Sequence, residues 1–202
     1  MKIFAVIHNY GNSPAEGALA GEGEPICYQM ADSSILKSGN PFFIPDFDES
    51  FVGFPSIVYR VGRLGKGIAP RFAARYIDAW GIAVAVVATG TLKRLRSHGF
   101  PWTEAVSFDR SCLLGNLKPI DTLNNNEVME IACGDAALSY SPRLLRRPID
   151  EIVSLLSRQN TLKNGDLILC GLTPDGLPLL PDRKLEARST TSETKFLDIN
   201  IK

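Results

Sequence analysis

The sequence predicts one domain built mainly from β-strands with a few short helices, an α+β fold. Three observations lead there. Seventeen glycines and thirteen prolines among 202 residues cut the chain into short apolar runs, a rhythm that favours many short strands. Residues 82–88 are an unbroken run of alanine, valine and isoleucine, the pattern of a strand buried on both faces. Apolar residues at helical spacing behind a proline occur only after Pro70 and after Pro148.

Taken in order, residues 2–8 read as a strand. Residues 11–24 hold four glycines and little that could pack, which reads as a mobile, lid-like loop. Short strands are expected near 24–30 and 41–44, and a stronger one at 57–62, rich in branched side chains. Phe72, Ala73, Tyr76, Ile77 and Trp80, between Pro70 and Gly81, predict a short amphipathic helix over 70–80. A strand at 82–88 and a helical turn at 92–97 follow. Behind Pro148, Ile149, Ile152, Val153 and Leu156 share a helical face, and Asp150 and Glu151 sit where the helix dipole favours anions. Asn164-Gly165 then turns the chain into a strand at 166–170, with two more near 183–188 and 195–201. No repeat or linker divides residues 1–202, so a single domain is expected.

Lys and Arg total 22, balanced by 22 Asp and Glu, which argues against a dedicated nucleic-acid or membrane-surface binder. The longest nearly apolar stretch, 79–88, falls well short of the roughly 18 residues of a membrane span. The short apolar run 3–7 closes on His8 and Asn9 without a secretory pattern, so a cytoplasmic protein is expected. Cys27, Cys112, Cys133 and Cys170 form no C-x-x-C pair and read as reduced thiols, partly in the core.

Several motifs dissolve on inspection. Residues 62–67 (GRLGKG) miss the P-loop pattern at both ends, with Arg60 for its first glycine and Gly67 for its hydroxyl residue; a tight turn is expected. Lys93, Arg94, Arg96 and His98 read as a solvated face beside Trp102. Ser13 and His8 could be drawn as part of a triad, but no G-x-S-x-G elbow exists. The acidic run Asp46, Asp48, Glu49 reads as a solvated turn, with a capping role for Asp46. More telling is an absence: residues 51–77 and 79–103 contain no Asp or Glu, leaving Asp78 alone. Mg2+ and Ca2+ need carboxylate oxygens, so this central stretch cannot supply a site for them.

Residues 39–46 (GNPFFIPD), 57–67 (IVYRVGRLGKG), 72–81 (FAARYIDAWG), 95–102 (LRSHGFPW) and 105–109 (AVSFD) together resemble the fumarylacetoacetate hydrolase family. The resemblance is to its short members, the 2-hydroxyhepta-2,4-diene-1,7-dioate isomerases and acylpyruvate hydrolases. Residues 149–171 are similar to the family's closing helix and following loop. The resemblance implies a mixed β-sandwich roll or distorted barrel, a homodimer, and metal-dependent hydrolysis or isomerisation of 2-oxo or 1,3-dicarbonyl acids.

In that family a Mg2+ ion is held by two glutamates of an H-Y-E-x-E-L strand and an aspartate ahead of T-A-R-D. Placed without gaps, Phe54 and Ser56 stand at the glutamates, Ala85 at the aspartate, Thr89 at the arginine of T-A-R-D, and Val106 at a lysine. A two-residue slip would put Val87 at the aspartate instead, with the same outcome. Asn9-Tyr10 matches the family's N-Y, and Ser13 and Glu16 fall at the lid histidine and glutamate. No metal or other cofactor is therefore expected, and the old cavity, bounded by Tyr10, Phe54, Ser56, Ala85, Thr89 and Val106, should be apolar, small and uncharged. The expected role is a non-catalytic structural, regulatory or ligand-binding one, with a small apolar or 2-oxo-acid ligand. The alternative is metal-independent isomerisation or hydrolysis of a 2-oxo acid, with Ser13 and Glu16 as candidate catalytic residues.

Overall fold

The computed structural model describes residues 1–11, 25–124 and 126–202; the lid expected over 11–24, with Ser13 and Glu16, lies outside these apart from Gly11. In the first half of the chain come β1 (Ile3–Ile7), β2 (Ile26–Met30), β3 (Ile35–Lys37), β4 (Phe51–Val61), helix α1 (Pro70–Ala73), β5 (Ile77–Ala88), and helices α2 (Thr89–Ser97) and α3 (Thr103–Val106). The second half adds β6 (Cys112–Leu114), β7 (Lys118–Pro119), the hairpin β8 (Met129–Cys133) and β9 (Ala136–Tyr140), helix α4 (Ile149–Gln159), β10 (Leu167–Leu169), β11 (Leu177–Pro178), β12 (Lys184–Ser189) and β13 (Lys195–Asn200). The fold is mainly β with short helices. Its larger sheet curls into a half-barrel with spine β2-β1-β10-β4-β5-β6-β3, and β13-β12-β8-β9 form a second sheet of four strands.

The centre of the larger sheet is the long β4–β5 pair. Their alternation sends Ile57, Tyr59 and Val61 with Trp80, Ile82, Val84 and Val86 into the main core, while Val58, Ala83 and Ala85 face a smaller cluster with Ile3, Ala5, Cys112 and Leu169. Both faces of β5 are buried apart from Asp78, as the 82–88 run predicts.

Two readings need correction. The helix over 70–80 stops at Ala73 and passes through a single 3-10 turn, Ala74–Tyr76, after which Ile77 opens β5. The apolar residues of 77–80 find their partners across the sheet, with Trp80 opposite Tyr59 and Ile77 opposite Val61, so tertiary pairing overrides the local periodicity. Residues 41–44 make no strand, only an isolated bridge of Phe42 with Ile201.

Helix α4 buries Ile152, Val153 and Leu156 as expected, and also Ser154 and Ser157. The Ser157 hydroxyl accepts from the Ile68 amide at 2.9 Å and its carbonyl from the Gly67 amide at 2.9 Å. The 62–67 segment is thereby a turn sewn onto α4. Gly67 sits at φ +64°, and a Cβ on Gly65 would lie 2.4 Å from the Tyr76 ring, so backbone geometry explains these two glycines without a phosphate.

Candidate functional site

Phe54 on β4 stands directly opposite Ala85 on β5, with Ser56 opposite Ala83 and Val52 opposite Val87. The period of two puts Phe54, Ser56, Ala85 and Val87 on one face of the sheet. Phe54 and Ala85, which the resemblance sets at ligand positions of the family, are thus cross-strand neighbours, while Val87, the alternative to Ala85, stands on the same face opposite Val52.

What stands there is hydrocarbon. Ala85 is fully buried. The Phe54 ring packs against both the cluster of Ala85, Cys112, Leu169 and Leu172 and that of Val87, Leu95, Ala105 and Val106. Ser56 is fully buried, and its hydroxyl is committed: it donates to the Ile57 carbonyl at 2.8 Å and accepts from the Gly171 amide at 3.1 Å. Gly171 in turn accepts the Tyr140 hydroxyl at 3.0 Å. Cys112, paired with Ala85 across β5–β6, is a buried thiol whose pKa burial pushes up to about 12; it stays protonated and inert at neutral pH.

These residues do not fit a divalent metal ion. Phe54, Ala85 and Ser56, the positions that the resemblance sets at the family's metal ligands, offer a phenyl ring, a methyl group and a hydroxyl engaged by two backbone groups, where hard cations need carboxylate oxygen. Among the described residues no three His, Cys, Asp or Glu side chains gather anywhere. The acidic run at 46–49 serves α2 instead, and through Asp48 rather than Asp46. Asp48 accepts from the amides of Thr91 at 2.5 Å and Ser50 at 3.0 Å, capping a helix whose own N-cap residue, Ala88, has no side chain able to do so. Burial alone would raise its pKa, but the amides of Ser50, Thr91 and Gly90 and the Thr91 hydroxyl outweigh it, and the carboxyl titrates below its ordinary range.

Above this face lies a cavity of about 430 Å³. Phe54, Val87, Leu92, Val106 and Leu172 form apolar wall, and Tyr28 and Trp102, edge to face with ring centroids 5.4 Å apart, add aromatic surface. Of the six positions expected to bound the pocket, Tyr10, Phe54, Thr89 and Val106 line it; Ser56 and Ala85 are sealed beneath. Thr89 opens α2, its hydroxyl donating to the Ser50 carbonyl at 3.2 Å. Tyr10 stacks on Tyr140 with centroids 4.3 Å apart, and its hydroxyl accepts from the Ser141 amide at 3.0 Å; burial raises its pKa, so it is a neutral structural phenol.

The cavity also differs from the uncharged one expected. His8, Arg96 and Arg146 line it, and no Asp or Glu does so among the described residues. Arg96, on the last turn of α2, lies over the Trp102 ring at 5.9 Å. Arg146 is delivered by Asn9: the Arg146 amide donates to the Asn9 carbonyl at 2.9 Å, and the Asn9 side chain holds Arg147 on either side. Sequence reading did not assign Tyr28, Leu172 or Arg146 to a site. The loop Gly171-Leu172-Thr173-Pro174 carried a usable signal, because it follows the matched stretch 149–171; Arg146 carried none.

The sequence model of the family described as fumarylacetoacetate (FAA) hydrolase C-terminal matches residues 2–195. The chain belongs to the fumarylacetoacetate hydrolase family. It is 24% identical over 189 residues to the protein of Mus musculus named oxaloacetate tautomerase FAHD1, mitochondrial, covering 92% of this chain and 85% of that one. To the oxaloacetate tautomerase YcgM of Escherichia coli it is 23% identical over 180 residues, covering 87% of this chain and 82% of that protein. The fold matches the crystal structure of a fumarylpyruvate hydrolase from Pseudomonas aeruginosa in complex with Mn2+ and pyruvate at a TM-score of 0.85 and 18% identity, over 100% of this chain and 90% of that one.

Proposed function

We propose that this protein keeps the family fold but has replaced the metal centre by a metal-free ligand cavity, and that it does not perform metal-dependent hydrolysis or isomerisation. The observation that carries this reading is the cross-strand pair Phe54 and Ala85, with Ser56 beside it tied to two backbone groups. A lone carboxylate placed in that hydrocarbon would lack the cation that compensates burial. Within the same reading the protein is a cytoplasmic homodimer; light scattering gives the oligomeric state.

The test is metal binding and turnover. Mn2+ or Mg2+ at millimolar concentration is expected to leave the melting temperature unchanged. A bound ion at a hundred times its Kd would add about 2.7 kcal/mol, a rise of roughly 5–10 °C for a chain of this size. Such a rise, or metal-dependent turnover of oxaloacetate or an acylpyruvate, refutes the proposal. The triple variant Phe54→Glu, Ser56→Glu, Ala85→Asp is expected to gain Mn2+ binding by calorimetry; a silent titration of the folded variant would show that these positions do not converge on one ion.

One observation favours a second reading, metal-independent proton transfer. His8 lines the cavity at φ +61°, a conformation uncommon for non-glycine residues and enriched at functional sites. An imidazole there could shuttle a proton at a 2-oxo acid's α-carbon. Enolisation of oxaloacetate in EDTA above the buffer rate, lost in His8→Gln, would favour it over the non-catalytic reading.

A further inference from the structure

We propose that the cavity is a binding site for an apolar monocarboxylate, a medium-chain acid, with its hydrocarbon on the Phe54 and Val106 wall and its carboxylate at Arg96. The inference deepens the metal-free reading and rests on it, because with an ion in the floor the polar end of a ligand would turn inward.

Three features select the ligand. Phe54, Val87, Leu92, Val106 and Leu172 give the lining its hydrocarbon, the Tyr10, Thr89 and Thr173 hydroxyls are engaged by backbone groups and that of Tyr28 is buried, so a compact dianionic oxo acid would leave charged oxygens unpaired there. The fixed charge on the lining has one sign: Arg96 and Arg146 line the cavity, with no carboxylate among the described lining residues. At about 430 Å³ the cavity falls within the range of small-molecule sites.

Arg96 is the best placed of the cations to take a carboxylate. It is four residues after Leu92 on α2, so both project from one helical face, and both line the cavity. Its neighbour Arg94 is engaged by Glu104 at 3.0 Å, whereas Arg96 forms no ion pair among the described residues. Its guanidinium lies over Trp102 at 5.9 Å, and a guanidinium that covers a ring still has N–H groups to offer a carboxylate in two parallel bonds. Aromatic and aliphatic wall together with an arginine over Trp102 is complementary to a ligand with an apolar body and a single negative end.

The test compares three probes, sodium octanoate, octan-1-ol and pyruvate, by isothermal titration in EDTA, with Trp102 fluorescence as a second readout. Octanoate is expected to bind saturably, at least tenfold more tightly than octanol and more tightly than pyruvate. Arg96→Gln should weaken octanoate about tenfold while leaving octanol unchanged, and Val106→Asp should abolish octanoate binding in a protein whose melting shows it folded. Absence of octanoate binding, equal affinity for acid and alcohol, tighter binding of pyruvate, or an Arg96→Gln variant with unaltered octanoate affinity overturns the proposal. Repeating the titration with Mn2+ separates the two claims. Binding that requires Mn2+ refutes the metal-free reading, whereas Mn2+-independent failure of octanoate refutes only the ligand class.

Discussion

Asn9→Asp changes one atom in the support of the site, and its consequence can be worked out from geometry. The Asn9 side chain is fully buried. Its Nδ2 donates to the carbonyl of Cys170 at 2.6 Å and to that of Arg147 at 3.1 Å, and its Oδ1 accepts from the Arg147 amide at 2.9 Å. Together with the Tyr10–Leu145 bridge, these bonds fix the segment that carries Arg146 against the end of β1. Aspartate has the same shape, but once ionised it would set a carboxylate oxygen against two carbonyl oxygens with no donor between them. Below the ordinary carboxyl pKa the protonated acid can still donate to Cys170, so the variant should lose little there. As pH rises, burial and the facing carbonyls hold the folded pKa above its unfolded value of about 3.9. The sign is therefore a stability that is present in acid and lost as pH climbs toward the folded pKa. Each unit of elevation removes about 1.4 kcal/mol, so an elevation of three units removes about 4 kcal/mol by neutral pH. For about 200 residues that is a fall in melting temperature of roughly 8–16 °C. The assay is thermal and urea unfolding of variant and wild type across the acidic to neutral range, read as the difference between them. A difference that does not grow with pH would refute the reasoning and show that the Asn9 amide is not the clamp described.

Two further outcomes are expected. The Tyr28 hydroxyl is buried without a hydrogen-bond partner among the described residues, and burial, with the neighbouring Cys112 and Cys27 thiols, holds its pKa far above the phenol range; Tyr28→Phe should therefore stabilise the fold by about 1 kcal/mol, raising the melting temperature by roughly 2–4 °C, and a loss of stability would mean that the hydroxyl has a partner after all. Asp48→Asn should cost about 1 kcal/mol at neutral pH through the weakened cap of α2, and because the folded carboxyl titrates below its ordinary range, the wild-type advantage should fade as pH falls through that value; an advantage that persists in strong acid would place the effect elsewhere.

How much of this was legible in the sequence depended on where each residue's partners lie. Helix α4 and the strand at 82–88 were readable because a local pattern and the tertiary environment agree. The stretch 77–80 was misread because Ile77 and Trp80 satisfy a helical spacing as well as an extended one, and the choice is made by β4, nearly twenty residues earlier. The hairpin β8–β9 went unassigned although Met129, Ile131 and Cys133 alternate inward; short runs with polar outward faces give a weak signal. At the site, the resemblance led to Phe54 and Val106, which line the cavity, and to Ala85, which lies beneath it, because the two long antiparallel strands keep Phe54 and Ala85 in register. The cationic lining could not. Arg146 is brought to the cavity by a clamp made by Asn9 at the other end of the sequence, and in sequence Arg96 looks no different from its neighbour Arg94, whose partner Glu104 takes it out of the cavity's chemistry.

On the metal-free reading proposed above, the neutral side chains at Phe54, Ser56, Ala85 and Val106 are one coupled change. A metal centre of two glutamates, an aspartate and a nearby lysine balances its charges internally, and truncating a single member of such a buried set costs about 3–5 kcal/mol because it leaves an uncompensated charge. Exchanging the whole set for hydrocarbon that packs can be neutral or stabilising. Val106 is the informative member. A lysine at that place would stand among Val87, Leu95 and Ala105 with no anion at Phe54, Ser56 or Ala85 to receive it, so its absence follows from theirs. The same logic explains why the remaining charge is not in the floor. Arg96 escapes most of the desolvation cost by staying solvent-exposed and covering Trp102, an arrangement in which a cation and an apolar cavity do not oppose each other.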